Sequence, residues 1–322
     1  MLPILSIIIP VYNASSWIER CVTSLMEQTI QDCVEFIFVD DGSTDSSVEQ
    51  IQKILQHYPQ REKQTRILHN SKNQGVYLTR KRGIREAKGN YIGWCDSDDW
   101  MDKDYFQTLL DATQNGSIDI VVCDYTNIWS DRSSICHYEI QHTPLDCIEQ
   151  NYCRNSLPME LYIHLFKREI IQHAFEQIYP TNLGEDTYSI IHSYILAQSI
   201  CHVNISGYYY DHRNAQSIMN TRKYEIKDWL PHQHNIEKIA NTLYELPHGK
   251  KRFHKSVNSM KYWRKSGYKS AFTSEWEYYH TFSESYRDIN IISHTQWGMR
   301  GIVFLLYNIY PLYLLGKKIG LM

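Results

Sequence analysis

Over the first 125 residues, short apolar runs alternate with stretches in which apolar residues recur every three or four positions. The runs Leu5–Ile9, Glu35–Val39, Arg66–His69, Tyr91–Cys95 and Ile118–Cys123 have the length and composition of strands. Between them, the periodic stretches near Ser15–Gln28, Asp45–His57, Gly75–Ala87 and Lys103–Ala112 predict helices. A βαβα order with nearly continuous apolar strands predicts a parallel sheet covered by helices on both faces, so the fold class is α/β, doubly wound and mostly parallel. Beyond about residue 126 the alternation fades, and 130–160 reads as mixed strand, loop and short helix. A helical pattern runs from Leu161 to Phe175 and another to about Gln198, Ile200–Tyr210 reads as a strand, and helix predominates after Thr221. The chain is thus expected to hold an α/β domain over 1–221 and a helical extension over 222–322.

Open α/β sheets bind ligands outside the carboxyl ends of their strands, and the unusual residues fall there. Pro10-Val11-Tyr12-Asn13 follows the first predicted strand, Asp40-Asp41-Gly42-Ser43 the second, and Asp96-Ser97-Asp98-Asp99 the fourth. Two carboxylates one residue apart at a strand end can converge on one hard divalent cation, and such a cation neutralises a diphosphate. In that chemistry Tyr12 stacks on a base and Asp40 accepts from a base N–H. Asp96 reaches a ribose or a metal-bound water, and Asp98 ligates the metal. Lys72 and Arg80 flank Asn73-Gln74-Gly75, where a helix N-terminus would also attract phosphate. Each motif has a plainer use, since Asp and Ser are ordinary turn and cap residues and Arg82 fits a solvated helix face.

Taken in order, Ser6-Ile7-Ile8-Ile9-Pro10-Val11-Tyr12-Asn13, Phe38-Val39-Asp40-Asp41-Gly42-Ser43-Thr44-Asp45, Asn73-Gln74-Gly75-Val76, Ala87-Lys88-Gly89-Asn90-Tyr91-Ile92 and Asp96-Ser97-Asp98-Asp99-Trp100 resemble the successive signatures of family two glycosyltransferases. The resemblance is dense over about 4–125 and thins afterwards. It implies the GT-A fold, a nucleotide-sugar donor with uridine the commonest base, a Mn2+ or Mg2+ cofactor, and inversion at the anomeric carbon. On the same resemblance Pro10, Tyr12, Asn13, Asp40, Gly75, Arg80, Asp96 and Ser97 would bind the nucleotide sugar. Gly184-Glu185-Asp186 resembles the family's acidic pair, with Asp186 as base and Glu185 orienting the acceptor or the base. His212 is the candidate for a further metal ligand beside Asp98 and Asp96. Tyr77-Leu78-Thr79-Arg80 departs from the small residues relatives often carry after the glycine.

Composition refines this picture at the two ends. The 322 residues are 43% hydrophobic and 21% charged, enough to bury a sizeable core. Eight cysteines are scattered without a CxxC pair, which fits reduced structural thiols better than disulfides or zinc. No basic N-region with a short apolar stretch opens the sequence, so a cytoplasmic location is expected. The net charge of −3 divides unevenly: 222–322 carries 16 Lys and Arg against 8 Asp and Glu, a net of +8, leaving −11 for 1–221. Lys261, Lys265 and Lys269 share one helix face, and the apolar run Ile302–Leu315 is shorter than the roughly 20 residues of a spanning helix. Peripheral attachment to an anionic membrane surface is therefore expected, with a glycan or lipid-linked acceptor and no nucleic-acid partner. Two rival readings are an aspartate-dependent phosphohydrolase, which would form an aspartyl phosphate, and a non-catalytic scaffold for glycan assembly. The absence of GxGxxG after the first strand disfavours a dinucleotide oxidoreductase.

Overall fold

The computed structural model describes residues 3–152, 156–215, 217 and 226–268. The chain divides into two compact units, Met1–Asn151 with Asn155–Arg222, and Tyr152–Arg154 with Lys223–Met322. In the first unit the predicted alternation is realised as β1 (Leu5–Val11), α1 (Ile18–Met26), β2 (Val34–Asp40), α2 (Ser47–Leu55), α3 (Pro59–Lys63), β3 (Thr65–His69), α4 (Val76–Glu86) and β4 (Tyr91–Trp94). Then follow β5 (Trp100–Met101), α5 (Tyr105–Asp111), β6 (Ile120–Cys123), β7 (Tyr125–Ile128), β8 (Ser133–Cys136), α6 (Pro144–Asn151), β9 (His164–Lys167), α7 (Arg168–Gln177), α8 (Glu185–Leu196), β10 (Ile200–Val203) and β11 (Tyr208–Asp211).

Seven strands form the main sheet in the order β10-β6-β9-β4-β1-β2-β3. β1 and β2 are buried on both faces, as a sheet covered by helices on each side requires: Ile7, Ile8, Ile9, Phe36, Ile37, Phe38 and Val39 are all 0% exposed. β1, β2, β3 and β4 run parallel, so the loops after β1, β2 and β4 emerge on one rim. Proline in a central strand removes a ladder donor, and the register shows why Pro10 is tolerated. Its β2 neighbour is Val39, but the pairing with β4 has already ended at Ile8 and Trp94.

Two expected elements are corrected. Leu161–Phe175 is not one helix: a 3-10 turn at Leu161–Ile163 leads into β9, which lies antiparallel between β4 and β6 before α7 begins. The run Leu161–Phe166 is apolar or aromatic at nearly every position, so a helical period and a strand buried on both faces read alike. Burial in the sheet decides, with Leu165 and Phe166 at 0% exposure. Likewise Ile200–Tyr210 is two strands: β10 extends the main sheet, whereas β11 joins a second sheet of order β5-β11-β7-β8. A hydrogen bond from Asp102 N–H to Gly207 carbonyl, 2.8 Å, helps dock β11 against β5.

The second unit contains α9 (Ile226–Glu245) and α10 (Gly249–Tyr268), which pack on one another, so the helical expectation holds over these residues. Lys269 and the apolar run Ile302–Leu315 lie outside the described residues, and among the described residues no helix is long and apolar enough to cross a membrane. Seven cysteines are free among the described residues, including Cys21 and Cys95, whose buried sulfurs are 3.6 Å apart.

The loop entering α4 is fixed by an acid that lies next to the expected site residue. Asp41, 3% exposed, accepts hydrogen bonds from Gln74 N–H (2.9 Å), Gly75 N–H (2.8 Å) and the Asn70 amide (2.7 Å). Asp41→Ala leaves these donors without their carboxylate and should lower unfolding free energy by about 2 kcal/mol, read from the urea midpoint. An unchanged midpoint would remove Asp41 from this role.

Candidate active site

The rim loops are tied together before any ligand arrives. Asn13, with φ of 48°, donates its backbone N–H to Ser43 Oγ (3.0 Å) and accepts from Thr44 N–H through Oδ1 (2.8 Å), joining the β1 and β2 loops. Between them Tyr12 is 47% exposed, leaving its ring open at the rim. Asp40, at the end of β2, accepts from Ser43 N–H (2.9 Å), and its other oxygen lies 3.1 Å from His69 Nδ1. Pro10, Tyr12, Asn13 and Asp40 thus share one corner of the rim.

Carboxylates that lie about ninety residues apart in the sequence meet around one arginine. Arg80 projects from α4 with its side chain 6% exposed. Its Nη1 donates to Glu185 Oε1 (2.8 Å) and to Asp186 Oδ1, and its Nη2 donates to Asp96 Oδ1 (2.9 Å). Burial alone would lower the guanidinium pKa, but the charges of Asp186, Asp96 and Glu185 outweigh it and the net shift is upward. Arg80, expected to bind the nucleotide sugar, has its guanidinium among acids. The two acids of α8 differ in access, with side-chain exposures of 8% for Glu185 and 32% for Asp186. Burial pushes the Asp186 carboxyl well above its ordinary value; Arg80 opposes this, while the neighbouring charges of Glu185 and Asp96 add to it.

The turn after β4 sorts its acids. Asp96 faces Arg80, Ser97 sits partly exposed, and Asp98 accepts from the Asn214 amide (2.8 Å) while its carbonyl accepts from Arg20 Nη2 (3.1 Å). Burial raises the Asp98 pKa, and the charge of Asp96 adds to it. Asp99 is fully buried and accepts from the Tyr208 hydroxyl (2.7 Å) and from Asp211 N–H (2.8 Å), which fastens the turn to β11. Asp211 in turn receives Arg20 (2.5 Å) and a two-pronged contact from Arg213 (2.8 Å each). Burial would raise Asp211, yet these arginines hold it down at about 2. Tyr210, which precedes Asp211, has its phenol pushed up by burial and then by the charges of Asp99, Asp96, Asp98 and Asp186.

His212 is engaged elsewhere. Its Nε2 lies 2.7 Å from Asn127 Oδ1, and its ring stacks on Trp129 at 4.4 Å. Among the described residues no three His, Cys, Asp or Glu side chains are gathered as a metal site. The donors available at the rim, Asp96 and Asp98, are hard carboxylate oxygens of the type that suits Mg2+ or Mn2+. The amides expected to attract phosphate at the start of α4 are taken by protein groups: Asp41 holds those of Gln74 and Gly75, and Asn182 Oδ1 accepts from Tyr77 N–H (3.1 Å).

Glycine at 75 is required by this arrangement. Its φ of 90° and ψ of 162° lie in a region essentially closed to other residues, and a Cβ there would sit 2.1 Å from the Asn182 amide. Sequence reasoning missed Arg20, Asp41, Asp99, Asn182, Asp211 and Asn214. The doubled acids Asp40-Asp41 and Asp98-Asp99 were the available signal, each pair giving one member to architecture.

These features coincide with a family signature. The model of glycosyl transferase family 2 matches residues 6–170. The chain belongs to glycosyl transferase family 2. A curated relative, "Uncharacterized glycosyltransferase EpsJ" of Bacillus subtilis (strain 168), is 33% identical over 180 residues, covering 54% of this chain and 51% of its own, so this chain spans about half that relative's length. Among solved structures, S. aureus TarS 1-349 in complex with UDP-GlcNAc superposes with a TM-score of 0.73 at 16% identity, covering 95% of this family member and 87% of the TarS 1-349 chain. The mannosyltransferase PcManGT from Pyrobaculum calidifontis, in complex with GDP-Man and Mn2+, gives a TM-score of 0.54 at 14% identity, covering 97% and 88%. These two likenesses establish the GT-A fold for the chain.

Gly75→Ala should destabilise the protein by about 2 kcal/mol through backbone strain and loss of the Asn182 contact, a fall in Tm of several degrees. A melting curve that overlays the wild type would show that the loop adapts without cost.

Proposed function

We propose that this chain is an inverting, divalent-cation-dependent glycosyltransferase that moves a sugar from a nucleoside diphosphate to a hydroxyl of a saccharide or lipid-linked glycan during cell-surface polysaccharide assembly. The observation that carries the reading is the gathering of Asp96, Glu185 and Asp186 around Arg80, which puts a donor-side acid and a candidate base on one guanidinium. Family membership supports the reaction class, and the UDP-GlcNAc complex of TarS supports a uridine donor.

The residues present fit a cation. Asp98 is raised by burial and by the charge of Asp96, a repulsion that a bound Mn2+ or Mg2+ would relieve. Asp98 would hold it with Asp96, and His212 could join only by giving up its contact with Asn127. When bound, the cation supplies positive charge to the departing diphosphate. Tyr12 offers its open ring to the base, and Asp40 offers a carboxylate to a base or ribose donor, with Pro10, Asn13, Gly75 and Ser97 shaping the surrounding rim. Asp186, the more accessible of the α8 acids, accepts the proton of the attacking hydroxyl as the new bond forms at the anomeric carbon and the bond to the diphosphate oxygen breaks. Glu185 holds Arg80 from the buried side and so orients Asp186. The basic C-terminal region would place the enzyme on an anionic membrane surface on the cytoplasmic side, beside a lipid-linked acceptor.

Calorimetric titration with nucleoside diphosphates, with and without manganese, tests the donor side. Manganese-dependent binding of one nucleotide should weaken at least tenfold in Asp98→Asn, whereas Asp186→Asn keeps that binding and loses transfer by a factor of roughly 10² or more. Manganese-independent binding, or transfer surviving in Asp186→Asn, would remove the corresponding role.

The sign of the pH effect follows from the raised carboxyl. Asp186 works only when deprotonated, so kcat/KM should fall as pH drops through its pKa. That acid limb should lie above the 3.8 of an unperturbed Asp. A limb at or below that value would exclude Asp186 as base.

A further inference from the structure

One tyrosine of β11 binds the turn Asp96-Ser97-Asp98-Asp99 at both of its ends. Its approach begins in the backbone, where Gly207 accepts from Asp102 N–H at 2.8 Å. A Cβ at 207 would lie 2.9 Å from Asp102 Oδ2, so glycine there clears the way for β11. Antiparallel pairing then sets Tyr208 opposite Met101, two residues past the turn. The Tyr208 side chain is closed to water, its ring stacked on Tyr162 at 4.3 Å and 5.9 Å from Tyr105. Tyr210 stacks on the same Tyr162 at 5.6 Å, so these rings form one aromatic surface.

A ring held in this way carries its hydroxyl to a fixed point, and two hydrogen bonds meet there. The hydroxyl accepts from Asp96 N–H at 3.1 Å and donates to Asp99 Oδ2 at 2.7 Å. One phenol thus joins the first and last residues of the turn, which also closes on itself through Asp99 N–H to the Asp96 carbonyl at 3.1 Å. We propose that Tyr208 is a positioning residue for the divalent cation: by holding both ends of the turn, it fixes the backbone from which Asp96 and Asp98 present their carboxylates. This inference rests on the reading of those two acids as the ligands of that cation.

Groups that orient metal-binding side chains without touching the metal are typically worth about 10- to 100-fold in its affinity. Tyr208 fits that part because its hydroxyl is spent wholly on the turn. Removing it would leave Asp96 N–H and a buried oxygen of Asp99 without this partner, and the turn would shift toward others. The neighbouring Tyr105 separates positioning from packing. It is 1% exposed in the same aromatic surface, but its hydroxyl donates to the Tyr162 carbonyl at 2.8 Å and lies 3.3 Å from Cys123 Sγ. Its loss would cost a buried hydrogen bond of the same kind without releasing either end of the turn. A second tie comes from Arg20, whose Nη2 bridges the Asp98 carbonyl at 3.1 Å and Asp211 at 2.5 Å, so β11 holds the middle of the turn as well.

Manganese titrated into the full-length protein, alone and with uridine diphosphate, tests this role, with free metal read by electron paramagnetic resonance. Tyr208→Phe keeps the ring and removes the hydroxyl, and its manganese Kd should rise roughly tenfold or more. Tyr105→Phe should stay within about threefold of the wild type, although both variants lose a buried hydrogen bond and some thermal stability. Where Tyr208→Phe fails to fold, Asp99→Asn replaces the oxygen that faces the hydroxyl and should weaken manganese to the same degree. A Kd unchanged in the folded variant, with only Tm lowered, would reduce Tyr208 to a packing residue and overturn its positioning role. An equal rise in Tyr105→Phe would overturn it too. In both cases the cation reading survives, provided that the wild type binds manganese and Asp98→Asn does not. A wild type that binds manganese in neither condition overturns the cation reading and the role of Tyr208 with it.

Discussion

The arrangement of the site depends on the ion-pair cluster of Arg80. One guanidinium, almost completely withdrawn from water, holds carboxylates from two distant segments: Asp96 from the turn after β4, and Glu185 with Asp186 from the start of α8. Removing charges from water is costly, and the cost is recovered only where geometry is good and the remaining donors are satisfied. Arg80 meets most of this condition by giving two nitrogens to three acids, although its Nε has no partner. The positions of α4, β4 and α8 relative to one another are therefore constrained by electrostatics as well as by packing. The loop that enters α4 is in turn held by Asp41, and the strained glycine at 75 lets Asn182, three residues before Glu185, approach the same helix.

Charge at this rim remains unbalanced even with Arg80 in place. Asp96, Glu185 and Asp186 share the one guanidinium of Arg80, and two like charges 4 Å apart repel by roughly 4 kcal/mol at an effective dielectric of 20. Asp99 escapes the conflict by burial, which pushes it well above the usual carboxylate range and suits it to hydrogen bonding with Tyr208 and the Asp211 amide. Asp98 remains partly raised. Under the proposed function, a divalent cation arriving with the diphosphate would supply the positive charge that these carboxylates lack.

Much of this could be read from the sequence, for identifiable reasons. The strands β1, β2 and β4 and the loops after them were legible because strands buried on both faces write continuous apolar runs, and the doubled acids at the ends of β2 and β4 mark the rim. β9 was not legible, because Leu161–Phe166 satisfies a helical and a buried-strand period equally and only its neighbours β4 and β6 decide. The split of β10 from β11 was hidden because both halves are strand-like and the change of sheet leaves no compositional mark. Arg80 was read as a phosphate partner because with Lys72 it flanks the predicted start of a helix, and nothing in the sequence shows that Glu185, 105 residues later, is brought to it by the fold.

The second sheet shows how tightly one strand can couple these parts. Successive residues of β11 point to opposite faces, so Tyr208 and Tyr210 join the aromatic surface, while Tyr209 stacks on Trp100 and Asp211 holds Arg20 and Arg213. A shift of one residue would exchange the two sets, placing a carboxylate held near 2 among rings and a tyrosine among guanidinium groups. Asp99 opposes such a slip by binding β11 at two points, the hydroxyl of Tyr208 and the amide of Asp211. The acid next to Asp98 therefore fixes the register that carries Asn214 to the Asp98 carboxylate.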